Sequence, residues 1–536
     1  MKNLFSTVRT AWSRRKKKQG TGADSGPESQ QTQALSKDLD TNLQKLKDIF
    51  SLCSDVIFRE FLINQQEGLR GALIYIDGLA DKTMISDQIM KTNVLELPMA
   101  EPGLELTRSN ALHIIKNRCL SIHQVKETTN LADVIDGITS GDTVLLIDGF
   151  ATALINGVRG WETRKVTSPE AEVVIRGPQE AFVETLRTNT SMLRRKIKNP
   201  NLKIETLKLG EVTNTDVAIA YIKGIVHDDI VAEVRRRLDA VKVDSILESG
   251  YVEEIIGDGP LSPFPLVNHS ERPDKIAAML LEGRVAIFTD GTPEVLTVPT
   301  LFLEFIHSPD DYYEKFYHGS LIRFVRLGAL VMTLALPSLY VAVITFHQEM
   351  LPTPLMLSIA GQREMVPFPA FIETLIMEIS FEALREAGVR LPRQVGQAVS
   401  IVGALIIGEA AVRAGIVAAA TVIIVAVTGI SSFMLTTSAG ITIRMLRFPM
   451  MILSATMGLF GLSVGLVTIL VHLATLRSFG VPYLSPVAPT TTGDLKDVLF
   501  RAPWWAMFTR PRLLGGMKDP QRQQFRLKPT PPETRE

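Results

Sequence analysis

The sequence is poor in the groups that mark catalytic and metal sites. It has two cysteines, Cys53 and Cys119, at no CxxC or zinc spacing, so a disulfide framework is not expected. Small buried apolar roles in a reducing compartment suit both of them. Eight histidines occur, none paired at the helical spacing of a metal site. Walker A, dinucleotide-binding and HExxH signatures are missing, so neither an enzyme nor a cofactor is expected. Gly461–Gly465 fits GxSxG by letter, but no strand precedes it, and it reads instead as a GxxxG helix-packing face. Met1–Trp12 lacks the continuous apolar core of a signal peptide, so the soluble part is expected to stay in the cytoplasm. Charge becomes sparse between Arg326 and Leu476, and that scarcity splits the chain in two.

What is present follows that division. Residues 1–36 form a basic arm, with the run RRKKK, and a small polar linker. No aromatics interleave with that run and no nucleic-acid fold follows, so an anionic lipid surface or solvent is the expected surrounding. Residues 37–318 are expected to form a soluble α/β (α+β) region of two subdomains. Three apolar runs there end in Asp-Gly: GALIYIDG (71–78), DTVLLIDG (142–149) and RVAIFTDG (284–291). A β-rich run closed by Asp-Gly reads as a strand meeting a tight turn. Helical stretches at 179–198 and 228–249 alternate with them, and no repeat with a period of 20–50 residues is visible.

Residues 319–480 are expected to be an all-α transmembrane bundle. Leu327–Phe346 is twenty residues without a charge, enough at ~1.5 Å per residue to cross a ~30 Å hydrocarbon layer. Val395–Val412, Ala414–Ile430 and Phe448–Leu476 are further apolar blocks, the last long enough for one tilted helix or two shorter pieces. Counting the glutamate-bearing segment 369–392, four to six crossings are expected. Lys315, Arg323 and Arg326 place the N-terminal region in the cytoplasm, and Arg385–Arg393 and Arg444–Arg447 mark further cytoplasmic turns. A basic tail, 481–536, prefers the same side, which requires an even number of crossings. Trp504 and Trp505 read as an interfacial anchor or as packing beneath the bundle.

The glutamates of PAFIETLIMEISFEALREAGVRLP (369–392) are the candidate functional groups. Glu378, Glu382 and Glu386 stack on one helical face, with Glu373 pointing elsewhere. An acidic residue near a bilayer centre costs ~2.5–3.5 kcal/mol and needs a partner or a watery cavity. Glu378 is expected to face a cavity, and Glu373 a cavity or a neighbouring helix. Glu382 and Glu386 face either a cavity or Arg385 and Arg390. Repeated around an oligomer, such a glutamate would form a ring that favours cations. Gln397 and Ser400 could line the same path, and Glu409 reads as an i,i+4 partner of Arg413. The candidate ion pathway is thus Glu373, Glu378, Glu382, Gln397, Ser400 and Glu409.

Five stretches carry a family resemblance: VIRGPQEAFVETLRTNTSMLRRKI (174–197), SPFPLVNHSERPDKIAAMLLEGRVAIFTDGTPEVLTVP (262–299), PDDYYEKF (309–316), REMVPFPAFIETLIMEISFEALREAGVRLP (363–392) and SFGVPYLSP (478–486). Through them the chain, from about Leu43 to about Arg512, resembles the A subunits of bacterial spore germinant receptors, the GerA family. The resemblance implies a protein of the spore inner membrane that works with a transporter-like B subunit and a C-subunit lipoprotein. It also implies a homo-oligomer, a pentamer, that conducts monovalent cations when germinant is sensed. Ser270 stands where the family has threonine, and MLTTSAGITIRM replaces a proline-tyrosine turn after Phe433. A paralogue associated with dipicolinic-acid release shares the fold. The alternatives are a transporter subunit, which would carry internal symmetry absent here, and a non-conducting signalling scaffold.

Overall fold

The structure is a computed structural model; it describes residues 33–64, 69–96, 111–116, 125–160, 169, 172, 174–390, 408–435 and 437–514. The chain divides into two compact units, one built from the residues up to Arg159 and one from Gly160 onward, with short exchanges at 48–56 and 77–79.

The first unit holds α1 (Leu39–Ile49), β1 (Val56–Asn64), β2 (Leu69–Ile76), β3 (Val125–Thr128), α2 (Leu131–Thr139), β4 (Thr143–Ile147) and β5 (Ala153–Asn156). Its sheet order is β1-β2-β4-β5-β3. Leu73, Tyr75, Leu145, Ile147 and Leu154 bury one apolar face of that sheet. Asn130 caps α2 by accepting the Ala132 N–H at 3.1 Å.

The α/β part of the second unit contains α3 (Leu186–Lys196), β6 (Leu202–Leu209), β7 (Thr215–Ile222), α4 (Asp228–Asp239), α5 (Ser249–Ile256), β8 (Asn268–Ser270), α6 (Pro273–Leu281), β9 (Val285–Thr289) and β10 (Val295–Val298). Strand alternation assigns the two faces. Val217, Ile219, Val285 and Ile287 pack with α4 and α5, whereas Ala218, Ala220, Ala286 and Phe288 pack with α3 and α6. Its antiparallel order, β6-β7-β9-β10-β8, repeats that of the first unit strand for strand.

The sequence repeats as well. GALIYIDG (71–78) matches VAIAYIKG (217–224), and NLADVIDGITSGDTVLLIDG (130–149) matches RPDKIAAMLLEGRVAIFTDG (272–291) in length and apolar spacing. Glycines 78, 224, 149 and 291 all have φ near +90°, the left-handed turn conformation that explains the closing glycine of each run. The repeat is more than 140 residues long, well outside the short periods considered from sequence.

Four long helical elements follow: α7 (Phe316–Phe346), α9 (Ala370–Arg390), α10 (Ala419–Ser432) and α11 (Thr437–Thr475), with α8 (Thr353–Arg363) between α7 and α9. α7 and α11 are long and apolar enough to cross a membrane. α11 is not one rod. Gly458 has φ 60° and ψ −141°, and the chain reverses there. A Cβ at Gly461 would strike the Leu453 carbonyl, and one at Gly465 the Met450 thioether, so residues 437–457 and 459–475 lie antiparallel in close contact. The Gly461/Gly465 face is the seam of this hairpin. His347, just past α7, accepts the Leu459 N–H at 3.3 Å and tethers the tip.

Both feet of the hairpin meet one loop of the second unit. Ser262 Oγ lies 3.0 Å from His472 Nε2, and Thr442 Oγ1 donates to the Pro263 carbonyl at 2.6 Å. The chain beyond then docks on the same α/β part: Ser478 Oγ donates to Leu266 O at 2.7 Å and Tyr483 OH to Pro265 O at 2.8 Å. The residues that follow the hairpin therefore pack on the same α/β part that precedes α7.

Candidate functional site

Three of the sequence stretches converge where α7 leaves the α/β part. Asp274 Oδ2 accepts the Arg272 guanidinium at 2.9 Å and the Tyr313 hydroxyl at 2.5 Å. Gly177, at φ +143°, leaves no room for a Cβ against the Tyr313 ring. The neighbouring Asp311 is fully buried between Arg323 at 3.2 Å and Arg326 at 2.7 Å. Arg323 also reaches Asp497 at 2.8 Å, and Tyr312 OH donates to Asp497 at 2.9 Å, so the C-terminal segment is clamped to the foot of α7. Trp504 donates its indole N–H to the Tyr312 carbonyl at 3.2 Å and, like Trp505, keeps much of its surface exposed. A cavity of about 170 Å³ opens beside this joint, lined by Asp274, Arg284, His307 and Tyr313 among others. Burial and the nearby Arg323 push the His307 imidazole down to about 4. Burial holds the Tyr312 and Tyr313 hydroxyls well above their ordinary range.

The glutamates of α9 lie in the helical layer. α9 and α10 run parallel: Glu373 accepts the Ala418 N–H at 2.5 Å and the Thr421 hydroxyl at 2.5 Å, and further along Arg385 reaches the Gly429 carbonyl at 3.4 Å and the Ser432 hydroxyl. Glu373 thus caps the start of α10, where orphan N–H groups favour an anion. Arg363 of α8 approaches it at 3.5 Å, and Tyr340 of α7 reaches Thr421 at 2.9 Å. Of the two environments expected for Glu373, the structure supplies the neighbouring helix.

Glu378 was expected to face a cavity. Instead it is fully buried 2.8 Å from Arg447, which is itself fully buried in the first arm of the hairpin. The contact lacks hydrogen-bond alignment, and neither Glu378 oxygen has a hydrogen-bonding partner. Glu378 is about 12 Å along α9 from Ala370, and Arg447 about 16 Å along the first arm from the hairpin tip. Glu382 accepts Arg447 at 2.9 Å and lies 3.4 Å from Arg385 and 3.7 Å from Arg444. Two carboxylates therefore face three guanidiniums. Arg447, read from sequence as part of a cytoplasmic turn, is the group that reading missed. Its signal was its isolation: the ten residues after it are uncharged.

Glu386–Arg390 at 2.6 Å and Glu409–Arg413 at 2.5 Å are solvent-accessible pairs on their own helices, matching their spacing. Gln397 and Ser400 lie outside the described residues, as do Cys119 and most of the Val395–Val412 block. Cys53 is buried, as its small apolar role predicts, with Lys203 Nζ 3.9 Å from its sulfur.

Known proteins match this chain over nearly its whole length. The sequence profile described as Bacillus/Clostridium GerA spore germination protein matches residues 44–513. Spore germination protein KA of Bacillus subtilis (strain 168) is 46% identical over 502 residues, covering 94% of this chain and 91% of that protein. The uncharacterized membrane protein YfkQ of the same organism is 45% identical over 485 residues, covering 90% and 93%. Spore germination protein GerLA of Bacillus cereus is 38% identical over 473 residues, covering 88% and 94%. Among solved structures, the N-terminal domain of the A subunit of the Bacillus megaterium spore germinant receptor GerK3 is 37% identical. It covers 51% of this chain and 98% of its own, with a TM-score of 0.41.

Proposed function

The chain belongs to the GerA family of spore germination proteins as a membrane-embedded germinant-receptor A subunit, and from that premise we propose that copies of it assemble into a cation-conducting channel. The family is not enzymatic, and it implies a receptor complex with B and C subunits. The proposal adds a pentameric ring in the spore inner membrane, with the α/β region in the cytoplasm and germinant sensed through the partner subunits. The observation that carries it is the depth of the charged groups. Glu373, Glu378, Glu382, Arg385 and Arg447 lie among apolar helices, a cost that a purely anchoring bundle has no need to carry.

The pairings refine which residues would meet the ions. Glu373 and Glu378 have their charge met inside one chain, which supports a role for them as the rigid wall behind the path. The cluster around Glu382 has one guanidinium in excess, which is unfavourable for cations. Cation contact is therefore assigned to Gln397 and Ser400, and to Glu409, whose pair with Arg413, unlike those of Glu373 and Glu378, stays open to solvent. The test is to reconstitute the purified protein in liposomes with and without the B and C subunits, and to record conductance and the assembly's mass. Conductance from an assembly of about five chains is expected. A monodisperse monomer that never conducts, even with its partners, would leave the scaffold reading standing.

A further inference from the structure

One loop of the α/β part presents an apolar side chain at its tip. It runs Gly259-Pro260-Leu261-Ser262-Pro263, and Leu261 is 97% exposed. Single exposed leucines are ordinary, so the position of this one has to carry the argument. The two residues after it are those that hold the hairpin. Ser262 bonds His472 at the foot of the second arm, and the Pro263 carbonyl accepts Thr442 at the foot of the first. Leu476 also comes within ordinary packing distance of Gly259.

At that same level the outer surface of the hairpin is apolar and exposed: Ile441 and Met445 flank Thr442, and Leu470 and Val471 precede His472. In a membrane-embedded helix such residues face lipid. Leu261 therefore continues a lipid-facing surface at its lower edge. Of the charges around the loop, Asp258 is engaged by Arg237 at 2.5 Å and by the Phe479 N–H at 2.5 Å, Glu253 lies 3.8 Å from His269, and Glu254 lines the cavity on the α5 side of the loop. Pro260 and Pro263 restrict the backbone on either side, so the tip is presented at little further entropic cost.

We infer that the Leu261 tip inserts into the headgroup–acyl boundary of the bilayer, as a peripheral anchor that fixes the α/β part against the membrane beside the hairpin. The partner is the lipid surface itself, and the inference rests only on the hairpin being in the bilayer, not on conduction. An anchor of this kind would hold the loop and both hairpin feet at one depth, so that movement of the α/β part is passed to the hairpin rather than absorbed in between.

The experiment uses the full chain in nanodiscs of ordinary or brominated phospholipid, reading the fluorescence that each variant adds to the native tryptophans. Leu261→Trp is compared with Leu470→Trp on the hairpin and Val212→Trp, which lies on an exposed turn of the α/β part. The expected result is blue-shifted emission from Leu261→Trp that is lost in brominated lipid, as for Leu470→Trp, while Val212→Trp is unaffected. Unquenched emission from Leu261→Trp beside a quenched Leu470→Trp overturns the inference. A water-like spectrum would then place the tip in solvent, and a blue-shifted one would place it against protein, such as a second copy. Failure of Leu470→Trp to quench would remove the hairpin from the bilayer and with it the premise.

Discussion

Arg447 and Glu378 are the residues whose removal should matter most in the helical layer. Arg447 is the buried counter-charge of Glu378, so removing it strands that carboxylate in apolar surroundings, at about 3–5 kcal/mol, whereas removing Glu378 leaves Arg447 one partner short with Glu382 still at 2.9 Å. Replacing both by apolar side chains of similar volume removes the stranded charge. Arg447→Met and Glu378→Met are therefore expected to lower the melting temperature in nanodiscs singly, and the double variant to recover most of the loss. Equal or additive losses would show that the two are not coupled.

His307 sets a pH dependence at the foot of α7. Its folded-state value, about 4, lies below the ordinary 6.5, so the folded protein disfavours the protonated imidazole. Stability is then full above about pH 6.5 and falls as pH drops from 6.5 toward 4, where the folded state also takes the proton. Allowing for the partial exposure of the ring, the loss is roughly 2 kcal/mol. Melting temperature against pH should slope over that window in the native chain and flatten in His307→Gln. An unchanged slope would assign it to the surrounding carboxylates.

At the scale of elements, the hairpin is the part that most changes the account. Its two arms come from one apolar block whose length allowed either a single tilted helix or two pieces. What decides between them is Gly458 in a left-handed conformation, with Gly461 and Gly465 giving the clearance for the return arm. A direct check is the pair Ser262→Cys and His472→Cys in a background lacking Cys53 and Cys119. A crosslink within one chain by a short thiol-bridging reagent is expected, because Ser262 Oγ and His472 Nε2 lie 3.0 Å apart, while the length of the imidazole keeps the two Cβ atoms too far apart for a direct disulfide. If α11 were a single rod, His472 would sit at the opposite end of the layer and no such crosslink would form.

The same elements show how far the sequence could be read. Strands β2, β4 and β9 were legible because a continuous β-rich apolar run ending in Asp-Gly has few other readings. α9 was legible from its spacing, as were the local pairs Glu386–Arg390 and Glu409–Arg413. The partner of Glu378 was not, because it lies on another helix 69 residues away. Helical spacing reports neighbours on one helix and says nothing of which helix packs opposite. The structural repeat was not legible either, since its two halves share spacing more than identity.

For the whole molecule, the repeated strand order gives two sheets of the same topology, and the membrane helices belong with the second. The C-terminal segment returns to that second α/β part, and Asp497 joins it to the foot of α7 through Arg323. Motion of the α/β part would therefore reach α7, the hairpin and the tail together, an arrangement suited to opening a path between helices.

The proposed channel activity is tested most directly by the reversal potential of the reconstituted receptor under a potassium chloride gradient. The account expects a potential on the cation side for the native protein, a shift toward zero for Glu409→Lys, and an unshifted potential for Glu373→Gln, whose charge is met within the bundle. A native potential at zero or on the anion side, or a shift with Glu373→Gln and none with Glu409→Lys, would contradict it.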